Sequence, residues 1–177
     1  MRTEFLISLL MLFICLTTRC VNDSEPSGPA LEAGDRLPEF SVSLNNGTLV
    51  TTASLAGKIP VIVFFNTNCP DCQKELPVIE QLYLHYAGDP VVDIMAIARE
   101  EQQEEIAEYW ADNNLTIPYS PQADRKVYNL FAPNRIPRIY IADTRSVIVA
   151  AYDDSDMPGL EQLISDIESL RNSYNEP

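Results

Sequence analysis

An apolar run that breaks off just before two closely spaced cysteines constrains this chain more than any other feature. Residues 61–77 read VIVFFNTNCPDCQKELP. Five consecutive apolar residues, Val61 to Phe65, rich in β-branched and aromatic types, suit a strand buried on both faces. Pro70 suits the first position of a helix, where a missing N–H costs nothing and φ is already set. Cys69 then stands at or beside the N-cap, with its sulfur near unpaired backbone N–H groups and the positive end of the helix dipole. That placement favours the thiolate, the reactive form of cysteine. Cys72 follows one helical turn later, so it can close a disulfide with Cys69 or resolve a mixed one. The stretch predicts a redox centre.

These residues carry a family resemblance. A buried strand, Cys-Pro-Asp-Cys, Pro77 five residues on and an Ile-Pro pair before a later strand resemble the thioredoxin superfamily. The similarity is closest to its secreted thiol–disulfide oxidoreductases of the TlpA/ResA type, over Leu37 to Leu170. The resemblance implies an α/β thioredoxin fold: a central mixed β-sheet flanked by helices, with an N-terminal β-hairpin extension. It implies that Pro137 is the cis-proline facing the two cysteines, and that Ile136 offers backbone groups to an extended substrate strand. A trans proline opening an edge strand is the plainer alternative. Glu75, three residues after Cys72, matches a glutamate thought to assist proton transfer in the ResA-like group; a solvent-facing helix glutamate is its alternative. Two positions depart from the pattern. Asn68 stands where Trp is common, and Ile136 where Thr or Val is common, so the rim of the substrate surface differs.

The N-terminus adds a location. Residues 5–16 form an apolar run interrupted only by Ser8 and preceded by Arg2, the length of a signal-peptide core and too short for a membrane span. Residues 1–19 are therefore expected to be a signal peptide, and the chain to be exported to the cell envelope or periplasm. Cys20 follows in a position similar to a lipoprotein cleavage site, although Arg19 departs from the small residue preferred there. Lipid on Cys20 would tether the domain to a membrane. Residues 20–36, polar and rich in Pro and Ser, read as a tether, and 37–177 as the domain.

Charge and cysteine count narrow the chemistry. The chain has a net charge of −14. Removing residues 1–19 takes away Arg2, Arg19 and Glu4 and leaves ten basic against 25 acidic residues, a net −15. Such acidity argues against nucleic acid or anionic lipid as a partner. Of four cysteines, Cys15 and Cys20 belong to the N-terminal segment, which leaves Cys69 and Cys72 in the domain. With His85 as the sole histidine, a structural zinc site or an Fe–S cluster lacks ligands. No metal or cofactor is expected beyond the redox-active disulfide itself. A peroxidase fits poorly, because Thr67 stands two residues before Cys69 and not three.

The remaining chain supplies the frame. Leu37 to Thr52 reads as a hairpin around Asn45-Asn46-Gly47. A helix from Pro70 to about Tyr86 carries an apolar stripe of Leu76, Ile79, Leu82, Tyr83 and Tyr86, and Val91 to Ala98 is the next, parallel strand. Asp93 in that strand reads as its wet end, with a buried carboxylate near the cysteines as the sharper alternative. Glu100 to Asp112 reads as a helix with a solvated acidic first part. A short extended piece at Ile117 to Tyr119 and a short helix over Asp124 to Phe131 follow. Two antiparallel strands (Ile139 to Ala142, Val147 to Ala151) and a closing helix (Asp156 to Leu170) complete a four-stranded core.

The expected activity is reduction of protein disulfides, with electrons from a membrane thiol donor. Asp71, between the cysteines, opposes a second negative charge there and, with Pro70, tunes the couple toward the reducing side. The alternative is a copper- or thiol-binding assembly module using the same sulfurs without turnover, since soft thiolates select Cu(I).

Overall fold

The computed structural model describes residues 28–175. The expected signal peptide, Cys15 and Cys20 lie outside the described residues. Seven strands and three helices follow in order. Strands β1 (Ser41–Ser43) and β2 (Leu49–Thr51) form the expected antiparallel hairpin, turning at Gly47 with φ +85°, a conformation open to glycine.

The main sheet holds β3 (Ile59–Phe65), β4 (Val92–Ala98), β5 (Tyr119–Ser120), β6 (Arg138–Ala142) and β7 (Ile148–Tyr152), in the order β5-β4-β3-β6-β7. Strand β3 lies at its centre, parallel to β4 and antiparallel to β6. All seven of its residues are buried, which explains the unbroken apolar run: each fully buried Val, Ile or Phe contributes about 1.5–3 kcal/mol. Phe64 turns one way, into a cluster with Tyr128, Phe131 and Tyr140. Phe65 turns the other way, against Trp110 at 4.9 Å. The alternation of a strand thus feeds an aromatic core on each face.

Helix α1 (Pro70–His85) links β3 to β4 and runs unbroken through Pro77. Helix α2 (Gln103–Asp112) links β4 to β5, and α3 (Leu160–Asn175) packs against α1. The Tyr86 hydroxyl donates to Glu168 across the α1–α3 contact at 2.9 Å.

Four expectations change. The sheet has five strands and not four, because Tyr119 and Ser120 pair in parallel with Ala96 and Ile97. The helix expected from Glu100 begins at Gln103, since Glu100 takes φ +59° and Glu101 bridges to Gln122. The short helix expected over Asp124 to Phe131 reduces to one 3₁₀ turn, Tyr128–Leu130. Packing also starts ahead of Leu37: Leu31 N–H donates to the Phe131 carbonyl at 2.8 Å and Gly34 N–H to that of Ile148 at 2.8 Å. The described end of the expected tether is therefore seated on the domain.

Candidate active site

Cys69 caps α1. Its backbone is extended (φ −86°, ψ 118°), and its sulfur accepts a hydrogen bond from the Cys72 N–H at 3.3 Å. The cap arises because Pro70 sets the first helical φ and Asp71 adds a favourable charge to the first turn. Asp71 does not act alone, however. Its carboxylate accepts from Lys74 Nζ at 2.7 Å, which offsets part of its charge.

The Cys69 thiol also reaches the Ile136 carbonyl, to which it donates at 3.5 Å. The Ile136–Pro137 peptide is cis. The loop is held from behind: the Tyr128 hydroxyl donates to the Arg135 carbonyl, and Arg125 Nη2 to that of Pro133 at 2.7 Å. Sequence neighbours of β6 are thereby brought against a cysteine 67 residues earlier. Arg135, with φ +70°, lies at the exposed edge and pairs with Asp154 at 2.9 Å.

Beneath this surface the environment changes. Cys72 is 0 % exposed and Cys69 partly exposed; both are free thiols. Burial pushes the Cys72 thiol well up, and its hydrogen bond with Cys69 adds to that; an Asn66 N–H on its sulfur and the Arg99 guanidinium oppose it. Glu75 is 4 % exposed, and its Oε1 is buried without a hydrogen-bond partner. Burial raises this carboxyl from 4.5 to about 7. Glu75 thus belongs to the buried stripe of α1, with Cys72, Leu76, Ile79 and Leu82, and not to its solvent face. A carboxyl poised near neutrality, one turn from a buried thiol, can take and return a proton at physiological pH.

Asp93 follows its first reading as the wet end of the strand, whereas Glu101 departs from its reading and Glu80 had none. Asp93 pairs with Lys58 at 3.5 Å at the start of β4, opposite Pro60, the end of the sheet away from the cysteines. Glu80 is buried and accepts from the N–H groups of Thr116 and Ile117 at 2.8 and 3.1 Å, so it fixes the chain before β5. Glu101, read as part of a solvated acidic run, is 1 % exposed. It accepts from Thr67 N–H at 2.8 Å and from the Thr67 hydroxyl. Arg99 was also missed. Its N–H donates to the Phe65 carbonyl at 2.8 Å, and its guanidinium lies 5.3 Å over the Tyr128 ring. Its buried Nε has no hydrogen-bond partner, the Glu100 carboxylate at 3.8 Å being an ion pair only. Among the described residues no group of three or more His, Cys, Asp or Glu could hold a metal.

Residues 32–164 match the Redoxin family. The chain belongs to it. Within this family the chain is similar to the thiol–disulfide oxidoreductase ResA of Bacillus subtilis, at 22 % identity over 80 % of this chain and 79 % of that one. Among solved structures it is similar to a thiol:disulfide interchange protein of the thioredoxin family from Chlorobium tepidum. There the TM-score is 0.66 and the identity 21 %, covering 81 % and 99 % of the two chains. A secreted thiol–disulfide isomerase from Corynebacterium glutamicum has the same TM-score at 16 % identity, with 81 % and 90 % covered. The protein is a Redoxin-family, TlpA/ResA-like member of the thioredoxin superfamily, and an oxidoreductase of the thiol–disulfide class. Its fold is the mixed α/β sheet with an N-terminal hairpin that this membership implies.

Proposed function

We propose that the protein is an exported dithiol reductant of protein disulfides, working through Cys69 and Cys72. The Cys69 thiolate attacks one sulfur of a substrate disulfide, forming a mixed disulfide and releasing the other substrate sulfur as a thiolate. Cys72, deprotonated by Glu75, then attacks the Cys69 sulfur. The substrate leaves as a dithiol, and the enzyme carries the Cys69–Cys72 disulfide. Two electrons pass from the enzyme dithiol to the substrate, and an external thiol donor returns them. Outside the membrane, in an oxidising compartment, that donor has to be membrane-borne.

The observation that most supports this reading is the pairing of a surface-accessible N-cap cysteine, facing the Ile136 carbonyl, with a fully buried second cysteine. Attack from outside reaches Cys69 first, and Cys72 reacts only from within. Glu75, buried and unpaired, is suited to carry the proton that Cys72 must lose. When Cys69 ionises it can no longer donate to Ile136, whose carbonyl is then open to an extended substrate segment.

Export rests on the apolar segment of residues 5–16, and anchoring on Cys20 directly after it. No helix among the described residues is long and apolar enough to cross a membrane; the attachment proposed is lipid on Cys20. Insulin-disulfide reduction tests the activity. Turnover that needs both cysteines supports the reading; stoichiometric Cu(I) binding without turnover would replace it with an assembly role.

A further inference from the structure

We propose that Glu101 is a positioning residue for the redox centre: through Thr67 it holds the turn that places the Cys69 sulfur, and it does so chiefly in the reduced state. The inference deepens the dithiol reading above and rests on it.

Thr67 stands two residues before Cys69, in a turn with no regular structure of its own. Every polar group it has is occupied. Its N–H and hydroxyl both donate to the Glu101 carboxylate, and its carbonyl accepts from Gln73 Nε2 of α1 at 2.7 Å. The carboxylate is fixed in turn by its own backbone: Glu101 N–H donates to Gln122 at 2.8 Å and its carbonyl accepts from Gln122 at 3.1 Å. The neighbouring bonds brace the same turn. Asn66 Nδ2 donates to the Arg99 carbonyl at 3.0 Å, Asn68 N–H to Asn66 Oδ1 at 2.9 Å, and Cys69 N–H to the Asn66 carbonyl at 3.0 Å. A buried carboxylate 34 residues away in sequence thus spans from the β4–α2 corner to the cysteine turn. Burying it costs free energy that solvent exposure would avoid, so its location calls for a reason.

The reason lies in the difference between redox states. In the disulfide, a covalent bond fixes Cys69 against Cys72. In the dithiol, only the hydrogen bonds of the turn keep the Cys69 sulfur on the Cys72 N–H. A clamp on Thr67 therefore contributes more to the reduced form than to the oxidised one. Its loss shifts the thiol–disulfide equilibrium toward the disulfide.

The test is the equilibrium constant of the full chain with glutathione, measured for the wild type, Glu101→Ala, Glu101→Gln and Thr67→Val, with the Tm of each redox form. A glutamine can accept from the Thr67 N–H and donate to its hydroxyl, keeping both contacts without the charge. Glu101→Ala is expected to shift the constant about tenfold toward the disulfide, the scale of the one to two ordinary hydrogen bonds lost with the side chain. Glu101→Gln should stay within about twofold of wild type, and Thr67→Val should move the same way by about threefold. The Tm of the reduced form should fall more than that of the oxidised form. An unchanged constant with equal losses of Tm in both forms would reduce Glu101 to a structural residue and overturn the proposal. So would a glutamine variant that behaves like alanine, which would assign the effect to charge. If Glu101→Ala does not fold, Thr67→Val decides by the same criteria. A wild-type protein that never forms the Cys69–Cys72 disulfide would overturn both this proposal and the reading beneath it.

Discussion

Replacing Glu75 by glutamine should change both stability and chemistry, each with a distinct pH signature. In the unfolded chain this carboxyl ionises near 4.5, and in the folded protein near 7. Between those values the folded chain keeps a proton that the unfolded chain has released. Stability therefore falls as pH rises from about 4.5 to about 7, and is level for this group beyond that. At about 1.4 kcal/mol for each pH unit, the loss amounts to about 3 kcal/mol. Glutamine cannot ionise. Relative to wild type, Glu75→Gln should gain about 3 kcal/mol between pH 4.5 and 7.5, whatever fixed cost the buried amide adds at all pH values. Denaturant unfolding of the reduced proteins across that range measures it. The same variant should prolong the mixed disulfide by about 100-fold at pH 8, the lower range for lost general-base catalysis. Below pH 6, where wild-type Glu75 is itself protonated, the two rates should converge. A stability difference that does not change with pH, or equal resolving rates at pH 8, would refute the assignment of a buried, proton-accepting Glu75.

Cys72→Ser should still form a mixed disulfide with substrate but should not release it, whereas Cys69→Ser should form none; non-reducing gels and peptide mapping read this directly. Brief alkylation of the reduced protein should label Cys69 well before Cys72, because Cys72 is fully buried. Asp71→Asn should raise the reduction potential, by less than about 30 mV, since Lys74 already offsets the carboxylate; a fall in potential would reverse the argument from local charge. The N-terminal peptide of the mature protein should begin at Cys20 and carry lipid, which mass spectrometry decides.

Much of the site could be read in the sequence because it is local. Five apolar residues, Pro70 and the Cys-Pro-Asp-Cys spacing specify a strand, a cap and a helix within seventeen residues, and the structure builds them there. Glu75 could be placed by period: it stands one helical turn before Ile79, in line with the buried side. Pro137 needed the family resemblance, because no local pattern says which later loop meets a cysteine 67 residues back. Glu101 was hidden by its surroundings. In a run of acidic residues its composition says solvent, and only the β4–α2 corner, with Glu100 in a left-handed conformation, turns its carboxylate inward. Strand β5 was hidden by its length, since two residues carry no periodicity.

The measurement closest to the central claim is equilibration of the full chain in glutathione buffers, with the Cys69–Cys72 disulfide quantified by peptide mapping at each potential. The account predicts a single two-electron transition linking these two cysteines, with a midpoint near the thioredoxin value of about −270 mV. A midpoint near the DsbA value of about −120 mV, or no disulfide between Cys69 and Cys72 at any potential, would contradict it.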